Sequence, residues 1–94
     1  MEMKIPKMFM IFGETYKVRQ VLKVDSKNSW GEYDPSKNVI RIKKDINKDQ
    51  QEQTYLHEIV HCALCNLGYD NLNNDEVFVD TFSKALHQIL TTGK

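Results

Sequence analysis

His57-Glu58-Ile59-Val60-His61 sets two imidazoles four residues apart, with a carboxylate next to the first. On an α-helix four residues make one turn plus about 40°, so both rings leave one face and can chelate a single ion. Zn²⁺ accepts neutral imidazole at about 2.0–2.1 Å, and two such ligands plus a third leave one position open for water. Glu58 projects about 100° round from His57. It therefore stands beside the ion without binding it, where a general base for that water belongs. Having no core position to fill, it is expected on the solvent-side flank of the ligand face. Two solvated histidines and an ordinary glutamate are the plainer reading, but chance would not set the pair beside the apolar stripe of an amphipathic helix.

A third ligand is needed. A histidine six residues past His61 would extend the motif, but position 67 is Leu and position 64 is Leu. The next helix offers Glu76 and Asp80, four apart on one face, which Ser83 and His87 continue. Glu76 is the foremost choice, because a loop from Gly68 to Asn74 can bring the first turn back to the pair. Asp80 and His87 are the alternatives. His87 lies eleven residues beyond Glu76, about 16 Å along the axis, so the two cannot share an ion. Glu76 also has a purely local reading, as the N3 residue of a capping box opened by Asn73.

Two elements must carry these residues. Asn47 or Asp49 can cap a first helix that has Gly68 just past its end and whose stripe is Leu56, Val60, Ala63, Leu64 and Leu67. Asn73 or Asn74 can cap a second helix running to about Leu90, with the stripe Val79, Phe82, Leu86 and Leu90. Before them the period changes to two. Tyr16, Val18, Leu22 and Val24 alternate with Lys17, Arg19 and Lys23, which marks a half-buried strand. Met8–Phe12 joins it across Gly13-Glu14 as a hairpin, and Trp30–Tyr33 and Val39–Lys43 flank the turn-rich Asp34–Asn38 as another. The expected fold is α+β, a small antiparallel sheet of two hairpins followed by two packed helices. It forms one domain over 1–94, with a β-rich half at 1–46 and a helical half at 47–94.

Composition narrows the function classes. Ninety-four residues, 40% hydrophobic and 28% charged, suit one thin-cored globular domain to whose stability a bound metal would matter. Net charge is zero, yet residues 1–48 hold eleven Lys/Arg against six Asp/Glu and residues 49–94 hold two against seven. The basic half, with Tyr16, Trp30 and Tyr33, reads as ordinary half-solvated strands, so nucleic acid is not the expected partner. The apolar run Met8–Phe12 is too short for a signal peptide or a membrane span, so a cytoplasmic protein without a membrane partner is expected. Cys62 and Cys65 are expected to be free thiols, buried as small hydrophobes. A His57/His61/Cys65 site would ask one straight helix for three ligands, and a redox role would need this CxxC at a helix N-terminus. Tyr69 and His87 are conceivable oxyanion donors, though no spacing singles out either.

His57-Glu58-x-x-His61 followed by Glu76-x-x-x-Asp80 resembles the gluzincin pattern of zinc metallopeptidases. The resemblance implies that His57, His61 and Glu76 bind Zn²⁺, that Glu58 is the catalytic base and that Asp80 orients His57. It also implies a peptidase acting on a protein or peptide. In size and element order the chain is similar to compact metallopeptidases of phages and mobile elements, including ImmA/IrrE-like proteins. Zincins commonly align substrate antiparallel to an edge strand above the helix. By that resemblance Val39–Lys43, which directly precedes the helix, is the expected strand. The alternative is a catalytically silent, zinc-stabilised protein-interaction module of phage or mobile-element origin, which needs the metal but not Glu58.

Overall fold

The computed structural model describes residues 3–25 and 29–93. Four strands, β1 (Met8–Ile11), β2 (Glu14–Val21), β3 (Gly31–Asp34) and β4 (Val39–Lys43), precede the helices α1 (Lys48–Leu67), α2 (Asp70–Asn73) and α3 (Glu76–Thr92). The class is α+β, as the periodicities predict. β1 and β2 pair antiparallel across a two-residue turn in which Phe12 (φ 50°) and Gly13 (φ 80°) both adopt the left-handed conformation. Such a turn matches the strands' own twist. β3 and β4 pair antiparallel across a loop tied by Asp34, whose Oδ1 accepts from the Ser36 amide and hydroxyl.

The sheet is mixed, however, not antiparallel. Its order is β1-β2-β4-β3, and β2 joins the two hairpins by pairing parallel to β4. The reason lies in β4. Val39, Ile40 and Ile42 are all buried, so this strand has apolar residues toward both faces and belongs between two neighbours. β3, with Glu32 and Asp34 paired to Arg41, takes the rim. Val39–Lys43 is therefore a central strand, and the expectation that it forms the substrate-aligning edge is wrong. The edge beside α1 is β3.

Tyr16, Val18, Ile40 and Ile42 form the core against Tyr55, Leu56 and Cys62 of α1. A smaller cluster of Val60, Leu64 and Val79 joins α1 to α3. Asn47 caps α1 by accepting from the Gln50 amide, and Gly68 closes it in the left-handed conformation at φ 80°. Leu67 of the expected stripe is exposed. Asp75, rather than Asn73 or Asn74, caps α3 by accepting from the Phe78 amide. Residues 70–73 form the unanticipated short α2 instead. Phe82 and Leu90 of the expected α3 stripe face solvent, while Val79, Ser83 and His87 are buried. α3 is turned this way because its polar ladder meets α1. Among the described residues no helix is long and apolar enough to cross a membrane.

Candidate metal centre

α1 and α3 run antiparallel, and their facing polar residues meet in steps of one turn. His61 Nε2 lies 3.0 Å from Glu76 Oε1, and His57 Nε2 lies 3.4 Å from Glu76 Oε2. One ligand atom from each of the three residues falls within 4.8 Å of the others. Because Asp75 is the cap, Glu76 is the first helical residue and its carboxylate is released from any capping-box role. The local reading of Glu76 therefore fails, and the carboxylate turns to the histidines. Two imidazole nitrogens and a carboxylate oxygen make a donor set that fits Zn²⁺.

The outer nitrogens of both rings also face acceptors. His61 Nδ1 lies 2.7 Å from Asn73 Oδ1, so the tautomer with its hydrogen on Nδ1 donates to Asn73 and presents Nε2 toward Glu76 as a metal donor. His57 Nδ1 lies 3.7 Å from Asp80 Oδ1, an ion-pair distance longer than a hydrogen bond, and Lys84 holds the other Asp80 oxygen at 2.9 Å. Asp80 thus sits beside His57, where the resemblance places it. Burial and the adjacent His61 lower the His57 pKa, against the opposing pull of Glu76 and Asp80. A neutral His57 is the form that can ligate a metal.

Glu58 departs from expectation. It is only 8% exposed and lies under β3, not on a solvent-side flank. A Cβ on Gly31 would stand 2.5 Å from Thr54 Cγ2 and 3.5 Å from Glu58 Cγ, so only glycine lets the strand pack this close. Burial pushes the Glu58 carboxyl up to about 7; His61 opposes the rise, and Glu76 and Glu32 add to it. A carboxyl poised near neutrality can both take and return a proton. Two hollows meet at His57 and Glu58 along β3. One, of about 480 Å³, is bordered by Trp30, Thr54, Asp80 and Lys84. The other, of about 410 Å³, is bordered by Tyr33, His61, Asn73 and Glu76.

The remaining sequence candidates lie elsewhere. His87 is no ligand alternative for this centre, because it pairs with Glu52 at the far end of the helix interface. Cys62 is buried as expected, but Cys65 is exposed, and neither joins the histidines in a ligand cluster among the described residues. Tyr69 is exposed at the start of α2. Asn73, Gly31 and Trp30 border the site without having been singled out for it in the sequence. Asn73 reads there only as a helix cap, and nothing local marks it as a partner of His61. The chain matches no protein-family model, no curated protein and no solved structure.

Proposed function

We propose that this chain is a zinc-dependent peptidase. The observation that carries the reading is the meeting of His57, His61 and Glu76 donor atoms within 4.8 Å beside the buried carboxyl of Glu58. His57, His61 and Glu76 would hold the ion. When bound, Zn²⁺ supplies Lewis-acid polarisation of a scissile carbonyl and acidifies water. Glu58 takes the proton from the attacking water, holds it in a site shielded by Gly31, and returns it to the leaving nitrogen. Asn73 and Asp80 orient the rings, so little reorganisation is needed when charge develops.

β3 replaces β4 as the strand that aligns substrate. The Lys43 amide bonds to the Trp30 carbonyl, and the register continues through Glu32 with Arg41 and Asp34 with Val39. That alternation turns the backbone groups of Gly31 and Tyr33 to the outer edge, which no strand pairs among the described residues and where an extended peptide can add as a strand. The two hollows on either side of Glu58 then accept its side chains.

The test is digestion of a broad peptide library by wild type and Glu58→Gln at matched zinc occupancy. Glu58→Gln should keep zinc and fold while hydrolysis falls by at least about 100-fold, the usual scale of general-base loss. Cleavage unchanged in Glu58→Gln would overturn the mechanism. Zinc-loaded wild type that cleaves nothing would favour the interaction module.

A further inference from the structure

The polar seam between α1 and α3 continues past the histidine pair. Antiparallel packing that sets His61 against Glu76 and His57 beside Asp80 brings His87 against the first turns of α1. His87 Nε2 lies 2.8 Å from Glu52 Oε1 and 3.6 Å from Asp49 Oδ1. Glu52 is 3% exposed and His87 9%, whereas Asp49 opens to solvent. The other Asp49 oxygen accepts from Gln53 Nε2 at 2.9 Å, which leaves Oδ1 toward the imidazole. One ligand atom from each of Asp49, Glu52 and His87 falls within 4.8 Å of the others.

A Glu52–His87 ion pair accounts for only part of this arrangement. One ring N–H satisfies one carboxylate, and Asp49 Oδ1 at 3.6 Å is too far to accept from it well. A buried ion pair also contributes little stability beyond what an apolar pair of similar volume would give. With the imidazole neutral, the triad offers one nitrogen and two oxygen donors carrying two negative charges, a match for a dication. Donors placed tetrahedrally around Zn²⁺ at about 2.0–2.1 Å stand roughly 3.3 Å apart. Here 2.8 and 3.6 Å straddle that spacing, as 3.0 and 3.4 Å do at the first centre.

We propose that Asp49, Glu52 and His87 form a second divalent-metal site that staples α3 to the start of α1. The imidazole donor selects Zn²⁺ and its transition-metal neighbours over Ca²⁺ or Mg²⁺. Its role is structural. It lies about 16 Å along α3 from Glu76, too far to share an ion with the first centre. It binds more weakly than that centre, because it offers the ion one imidazole where that centre offers two.

Zn²⁺ titration by calorimetry and native mass spectrometry tests this independently of the peptidase reading. Wild type should take up two equivalents, and a His57→Ala/His61→Ala double variant should keep one. In that background His87→Gln should remove the remaining equivalent. Asp49→Asn, at an exposed position that does not threaten folding, should weaken it at least tenfold. The ¹⁵N resonance of the His87 ring should shift on adding Zn²⁺ to the double variant. The proposal is overturned if the folded double variant binds no zinc, or if its zinc is indifferent to Asp49→Asn. Failure of the first centre looks different: wild type would then lose no zinc capacity on removing His57 and His61.

Discussion

Asn73 Oδ1 lies 2.7 Å from His61 Nδ1, and this contact spans two helices of the chain. It holds the ring's swing and favours the tautomer whose Nε2 is open to an ion, so Asn73 acts on metal affinity through His61. Asn73→Ala should reduce zinc affinity about 10–100-fold without changing stoichiometry at the tight site. Competition against a chelator of known affinity checks this, and an unchanged dissociation constant would show that the contact is incidental.

Glu76 and Asp80 should separate in the same assay. Glu76 reaches both rings, at 3.0 and 3.4 Å, whereas Asp80 stands 3.7 Å from the far nitrogen of His57 alone. Glu76→Ala should abolish tight zinc binding, because two imidazoles on one helix cannot complete the site. Asp80→Ala should lower affinity within the 10–100-fold range and leave the site recognisable. Equal losses in the two variants would contradict the assignment of roles.

Gly31 governs how closely β3 approaches the centre. A methyl there would meet Thr54 at 2.5 Å and the Arg41 carbonyl at 3.0 Å, so strand or helix must shift. Gly31→Ala should destabilise the fold by about 1–3 kcal/mol, the usual effect of overpacking. It should also uncover Glu58 and move its pKa back toward the ordinary carboxyl value. Denaturant melts and a ¹³C titration of the Glu58 carboxyl would measure both effects. An unaltered titration would mean that β3 is not what shields the group.

How much of this was legible in the sequence depends on the range of each interaction. The His57–His61 pair follows from helical geometry alone, and α1's two caps stand at Asn47 and Gly68 as ordinary signals. Glu76 was reachable by loop length. The position of β4 was not, because strand order is settled by non-local pairing, although three buried residues among Val39–Ile42 are the mark of a central strand. The stripe on α3 misled for a related reason. Phe82 and Leu90 obey helical spacing, yet the helix turns them outward so that Asp80, Ser83 and His87 can meet α1. Glu58 looked solvated because its cover, Gly31, lies 27 residues earlier and contributes only backbone.

The burial of Glu58 also predicts how stability varies with pH in metal-free protein. Its carboxyl is raised from 4.5 to about 7 in the fold, principally by burial. The folded state therefore holds this proton more tightly than the unfolded chain does. The corresponding stability is fully present below about pH 4.5 and is lost as pH rises through about 7, where the buried group must ionise. The loss should be on the order of 3 kcal/mol, at 1.36 kcal/mol per unit of the difference between 4.5 and about 7. Glu58→Gln removes the ionisation, so it should be more stable than wild type by that amount at pH 8 and nearly equal to it at pH 4.5. Zinc should shrink the difference, because a cation beside Glu58 favours its charged form. Chemical denaturation of both proteins in chelator, at several pH values between 4.5 and 8, reads the effect directly. Parallel pH profiles for wild type and Glu58→Gln would show that Glu58 is not held near neutrality, and would remove the electrostatic basis for its role as the base.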